Sequence, residues 1–126
     1  MIQFILYVKD QQAACDFYKM LLDKEPILDV PGMTEFLLEE NCKLGLMPEN
    51  GIAKILGNKA PHPASGNGIP RCELYLLVHD VEETYARLKG IAITEISPLS
   101  DRDWGDRVAY FADTDGHIIA IAGQRQ

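Results

Sequence analysis

The sequence predicts an α+β fold built from two tandem βαβββ modules, and three observations predict it. Leu6-Tyr7-Val8-Lys9-Asp10 is answered 70 positions later by Leu76-Leu77-Val78-His79-Asp80, and each stretch leads into a helical pattern. Between the two halves, residues 57–71 hold three prolines and three glycines, the composition of a linker. Trp104 to Gly123 reads as strand, tight turn and strand, apolar on both faces of each arm. Residues 1–126 therefore make one domain, with module one over about 1–56, a linker at 57–71 and module two over about 72–126.

The elements follow in order. Gln3 to Val8 is a β-branched and aromatic run, the first strand. Asp10 caps a helix over about 11–22, whose Ala14, Phe17, Tyr18 and Leu21 recur at helical spacing. Pro26 stops it, and three strands follow at Ile27 to Val30, Thr34 to Leu38 and Cys42 to Met47, separated by Pro31-Gly32 and Asn41. Ile52 to Leu56 is one helical turn. A structureless linker of this length in a small domain reads as a lid, a binding loop or a disordered segment. Module two repeats the plan: a strand at Leu74 to Val78, the cap Asp80, a helix over 81–90 with Val81, Tyr85 and Leu88 on one face, a strand at Ile91 to Ile96 and a loop from Pro98 to Asp103. In the closing hairpin, Asp113-Thr114-Asp115-Gly116 forms a four-residue loop. There Asp side chains bond local backbone and Gly116 takes positive φ.

Composition removes several functions. A formal net charge of −7 with no basic run argues against nucleic-acid binding. No apolar segment approaches the roughly 20 residues of a membrane span, and the first residues lack the signature of a signal peptide. Cys15, Cys42 and Cys72 are odd in number and without CxxC spacing, which reads as reduced thiols in a cytoplasmic protein.

Two βαβββ modules, a strand-Asp-helix start in each, and the late WGDRVAYFADTDGH hairpin resemble the glyoxalase / bleomycin-resistance / extradiol-dioxygenase superfamily, the vicinal oxygen chelate fold. The most specific segments are VKDQQAACDFYKMLL at 8–22 and WGDRVAYFADTDGHIIAI at 104–121. The resemblance implies that the strands curl into a half-open mixed β-barrel around a cavity, with helices packed outside and two chains forming a homodimer. Metal-using members such as glyoxalase I hold a divalent cation with four side chains, one from the first and one from the last strand of each module. Carried onto this chain, those positions are Gln3 and Glu73, each seven residues before a capping Asp, then Ala120, four residues after Gly116, and a partner near Gly45. Gly45 and Ala120 offer no donor, Gln3 is a weak neutral one, and none of His62, His79 or His117 falls at a ligand position. The reading is of no metal site and no cofactor.

With Gln3 and Glu73 facing the cavity, the strand period turns Ile5, Tyr7, Tyr75 and Leu77 the same way and sends Phe4, Leu6, Val8, Leu74, Leu76 and Val78 towards the helices. If Ala112 pairs with His117, Ala109 lies opposite Ala120, and Arg107 and Phe111 share its face. The ligand-binding candidates are Gln3, Tyr7, Gly45, Tyr75, Trp104, Arg107, Phe111 and Ala120, with small residues at 45 and 120 leaving room for an organic ligand. Glu73 is the catalytic candidate, a base if an apolar cup raises its pKa, or else solvated or paired. Arg107 either anchors a substrate carboxylate or pairs with an Asp of the 101–106 loop. Trp104 either stacks on a planar ligand or anchors packing, and Tyr7 and Tyr75 either contact ligand or fill the barrel.

Three functions fit these readings. One is a metal-free protein that binds a small organic molecule. Another is a superfamily enzyme (lyase, isomerase or dioxygenase-like) using Glu73 as base, with or without a divalent metal. The third is an interaction module working through the 57–71 loop.

Overall fold

The computed structural model describes residues 1–125, which fall into two compact units, Met1–Asn67 and the described residues from Gly68 onwards. Each unit holds one four-stranded mixed sheet and the helix that follows its first strand.

In the first unit, β1 (Ile2–Val8) runs into α1 (Gln11–Leu22), then β2 (Leu28–Val30), β3 (Met33–Glu39), β4 (Cys42–Pro48) and α2 (Glu49–Leu56). The sheet order is β1-β4-β3-β2, with β1 parallel to β4 and the other pairs antiparallel. Asp10 caps α1 as expected, its carboxylate accepting from the Ala13 N–H at 3.0 Å. The helix ends before Pro26, where Asp23 takes the left-handed conformation at φ 53°. Ala14, Cys15, Phe17, Tyr18 and Leu21 bury one face of α1 over Phe36, Leu44 and Leu46. Removing that much apolar surface from water is the main stabilising contribution of this unit. The last helix is longer than the single turn expected at 52–56. Its start was hidden because Pro48 stands at the N-cap with no side-chain hydrogen bond. The linker is not structureless: Gly57–Lys59 and Pro63–Ser65 form 3₁₀ turns, the second held by His62 Nδ1 accepting from the Ala64 N–H at 3.0 Å.

The second unit repeats the order with β5 (Glu73–Leu77), α3 (Val81–Lys89), β6 (Thr94–Asp101), β7 (Asp106–Ala112) and β8 (Ile118–Gln124), arranged β5-β8-β7-β6. Asp80 caps α3 through the Glu83 N–H at 3.0 Å. Two expectations fail here. The strand expected at 91–96 is Thr94–Asp101 and runs through Pro98, where the sequence predicts a loop. An edge strand tolerates a missing N–H, and the pairing with β7 shifts register between Ser97 and Ser100 around that proline. The closing hairpin pairs Ala112 with Ile118, not with His117. Asp113 bonds back onto the loop, its Oδ1 accepting from the N–H groups of Asp115 and His117 at 2.9 and 2.8 Å, and Gly116 has φ 86°. That turn takes one residue more than expected, and a slip of one residue exchanges the two faces of a strand.

Candidate functional site

In the first unit, strand pairing fixes which residues share the sheet face turned away from α1. Gln3 pairs with Lys43, Ile5 with Gly45 and Tyr7 with Met47, while Glu35 and Leu37 on β3 pair with Gly45 and Lys43. Paired residues project to the same side, so Gln3, Tyr7 and Gly45 share the face assigned to them by periodicity. A polar cluster lies on it. The Gln3 Nε2 donates to Glu35 Oε2 at 2.7 Å, and the Lys43 Nζ donates to Glu35 Oε1 at 3.0 Å. To reach β3 from β1, the Gln3 amide passes over β4 at Gly45, where an added Cβ would lie 2.6 Å from Gln3 Nε2 and 3.0 Å from Ile5 Cγ1. The space left by the missing side chain is therefore filled by Gln3 and is not spare volume for a ligand. The Lys43 ammonium first, and the Gln3 amide second, hold the Glu35 carboxyl below the ordinary carboxylate range.

The second unit has a related arrangement. Tyr75 on β5 pairs with Ala120 on β8, and Tyr110 on β7 also pairs with Ala120. Val108, Ala120 and Ala122 are fully buried, and Tyr75 and Tyr110 pack against them. Across this floor the Tyr75 hydroxyl donates to Asp106 Oδ2 at 2.6 Å and accepts from the Trp104 indole N–H at 2.9 Å. Burial first, and the bond to Asp106 second, push the Tyr75 phenol above its ordinary pKa. Trp104 is held by its edge while 59% of its surface stays exposed. Arg102 stacks on Tyr110, its guanidinium carbon 5.1 Å from the ring centroid, and spends one terminal nitrogen on Ser97 Oγ and the Pro98 and Val108 carbonyls at 3.0–3.2 Å.

The observed hairpin register moves Arg107 and Phe111 away from this face. Phe111 is fully buried beneath α3, its ring centroid 6.2 Å from that of Tyr85. Arg107 Nε donates to Glu82 Oε1 on α3 at 2.6 Å, and a terminal nitrogen reaches Asp101 Oδ1 at 3.4 Å. The ion pair with the 101–106 segment is the arrangement adopted. A hollow of about 510 Å³ opens on this helix side around Asp80, Glu82, Asp101, Arg107 and Arg125; Arg107 pairs there with Glu82 and Asp101, Arg125 with Asp101, and Asp80 caps α3. Glu73 shares the face of Tyr75, but it is exposed and no apolar cup encloses it within its unit. Glu35, Lys43, Asp106 and Arg102 are the site residues that sequence reasoning passed over. The strand alternation that placed Gln3 would have placed Glu35 and Lys43, had it been extended to β3 and β4.

Sheets of this composition and order, each opening with a strand and a capped helix, define the class of paired βαβββ-module proteins. The family profile described as Glyoxalase-like domain matches residues 1–124, and the chain belongs to that family. Solved structures agree on the fold. A glyoxalase/bleomycin resistance protein/dioxygenase family enzyme from Burkholderia phytofirmans is similar with a TM-score of 0.81 at 12% identity, over 98% of this chain and 97% of the other. A glyoxalase-related enzyme from Fulvimarina pelagi gives 0.80 at 20% identity, over 98% and 87%. A protein from Agrobacterium tumefaciens solved by solution NMR gives 0.75 at 28% identity, over 98% and 96%. No curated protein matches the sequence.

The metal used by some members of the superfamily does not fit the residues present. Two of its four positions, Gly45 and Ala120, carry no donor atom in a side chain, and the Gln3 amide is committed to Glu35. A ligating side chain at residue 45 would occupy the space of the Gln3 amide. Among the described residues, no three His, Cys, Asp or Glu are grouped to hold a metal ion.

Proposed function

We propose that this chain binds a small organic molecule without a metal, as a homodimer in the cytoplasm, and that the ligand rests on a sheet face of one unit, the second unit offering Tyr75, Trp104 and Ala120 and the first, separately, Gln3, Tyr7 and Gly45. The observation that carries this reading is the treatment of the two donor-free positions. Beside each, an edge-strand side chain reaches a carboxylate two strands away, Gln3 to Glu35 and Tyr75 to Asp106. The result is an apolar face with a few fixed polar groups, the usual lining of an organic ligand site. The homodimer draws support from the edge strand β1, which leaves Ile2 and Phe4 each 62% exposed. The cytoplasmic assignment draws on three free cysteines. No helix among the described residues is long and apolar enough to cross a membrane.

Thermal unfolding in EDTA against a panel of small organic compounds tests the reading. A ligand present at about a hundredfold excess over Kd adds roughly 2.7 kcal/mol of stability. A compound that raises Tm equally with and without EDTA is the expected result. Stabilisation by divalent metal alone, abolished by EDTA, would overturn it.

A further inference from the structure

We propose that the sheet face of the second unit that carries Arg102 and Tyr110 binds the carboxylate of a small aromatic acid, a proposal that deepens the small-molecule reading and rests on it. Arg102 bears a charge that the protein leaves unanswered. A guanidinium stays protonated and can only donate. Its Nη2 gives to Ser97 Oγ and to the Pro98 and Val108 carbonyls, all uncharged, at 3.0–3.2 Å. Its Nε is enclosed with no acceptor, while Nη1 is neither enclosed nor bonded among the described residues. A carboxylate stands close by in the backbone. The Arg102 N–H donates to the Asp106 carbonyl at 2.8 Å, which sets the two residues opposite each other across the turn. Yet Asp106 takes the Tyr75 hydroxyl, and among the described residues Arg102 forms no ion pair. The bonds on Nη2 hold the guanidinium over the Tyr110 ring instead, 5.1 Å from its centroid. A half-buried charge without a counter-ion and an enclosed donor without an acceptor both cost stability. Folds keep such breaches chiefly at functional sites.

A carboxylate answers each feature. Nη1 donates to it in a charge-assisted bond, stronger than a neutral one. The Tyr110 hydroxyl, neither enclosed nor hydrogen-bonded among the described residues, donates a second. Tyr75 and Tyr110 both pair with Ala120, so their rings cover the closed floor of Val108, Ala120 and Ala122, and the ligand lies above the tyrosines. Trp104, in the same turn as Arg102 and largely exposed, is fixed at its edge by the Tyr75 hydroxyl and offers its indole to an aromatic body. Glu73, the exposed carboxylate of this face, lies on β5, at the opposite edge of the sheet from the β6 residues that hold Arg102. An ammonium ion would meet the repulsion of the guanidinium, and a neutral alcohol would forgo the charge.

Trp104 is the single tryptophan of the chain and reports directly on its own face. Its fluorescence is titrated with benzoate, benzyl alcohol and benzylammonium, which share a ring and differ in charge. Saturable change with benzoate at tenfold or more lower concentration than with the other two is expected. Tyr110→Phe removes a hydroxyl that bonds no described residue and keeps the ring beneath Arg102. It should weaken benzoate at least threefold and leave the weaker response to benzyl alcohol unchanged. Arg102→Gln should weaken benzoate at least tenfold, with unchanged circular dichroism certifying its fold; if it does not fold, Tyr110→Phe decides. Equal responses to the three compounds, no response, or an unaltered benzoate affinity in Tyr110→Phe would overturn the carboxylate proposal. If another compound of the organic panel still raised Tm in EDTA, the small-molecule reading would survive that failure. If none did, both would fall.

Discussion

Residue 45 has no side chain, and the polar cluster of the first unit depends on that. In Gly45→Ala the new Cβ meets Gln3 Nε2 at 2.6 Å, so the amide must leave Glu35 or the strand must shift. The loss should be about 1–2 kcal/mol, from strain and a broken charge-assisted bond. In a Gln3→Ala background the same change should cost clearly less, and denaturant unfolding of the four proteins of the cycle measures the coupling. Glu35 makes a second prediction. Its carboxyl is depressed from 4.5 in the folded state, so its contribution is complete above the unfolded value and is lost as pH falls through the lower folded value. Glu35→Gln should flatten the fall in Tm between about pH 5 and pH 3 and remove roughly 1 kcal/mol at neutral pH. An acid limb unchanged from the parent would show that Glu35 contributes nothing. At this scale the sequence was partly legible. Gln3, Tyr7 and Tyr75 fell on the predicted face because strand alternation is local. Which carboxylate Gln3 and Tyr75 would find depends on pairing between distant strands, and no local pattern carries that.

Among the elements, the closing hairpin had the clearest sequence signal and also the one consequential error. Asp113, Gly116 and the two apolar arms stand in the turn and strands that the sequence predicts. The loop closed one residue later because Asp113 accepts from both Asp115 and His117. That single residue put Tyr110 opposite Ala120 and carried Arg107 and Phe111 to the helix side. Strand β6 departs from the expectation for a different reason: proline is a poor strand former inside a sheet, but β6 lies at an edge, and edge position is not written in the sequence. Contact between α3 and β8 gives a prediction at this scale. A Cβ on Gly123 would lie 2.9 Å from both Cβ and Cγ1 of Val81, a branched side chain whose Cβ cannot swing aside. Gly123→Ala should destabilise by about 1–3 kcal/mol through overpacking, read by chemical denaturation. A neutral result would mean that the helix moves freely on its sheet.

For the whole molecule, the 70-residue repeat was the strongest sequence signal, and both units realise it with the same strand order. The repeat extends to the chemistry. Each sheet sets a small residue on the strand next to its edge strand and sends an edge-strand polar group to a carboxylate beyond it, Gln3 to Glu35 and Tyr75 to Asp106. At the first-strand position where superfamily members that use a metal place a donor, the Gln3 amide of this chain is committed to Glu35 instead. Anomalous diffraction from crystals grown with excess zinc tests that claim most directly. The Gln3 amide should remain on Glu35, with no anomalous peak within bonding distance of either residue. A zinc ion held by Glu35 and the Gln3 carbonyl oxygen, with the Gln3–Glu35 hydrogen bond broken, would contradict it.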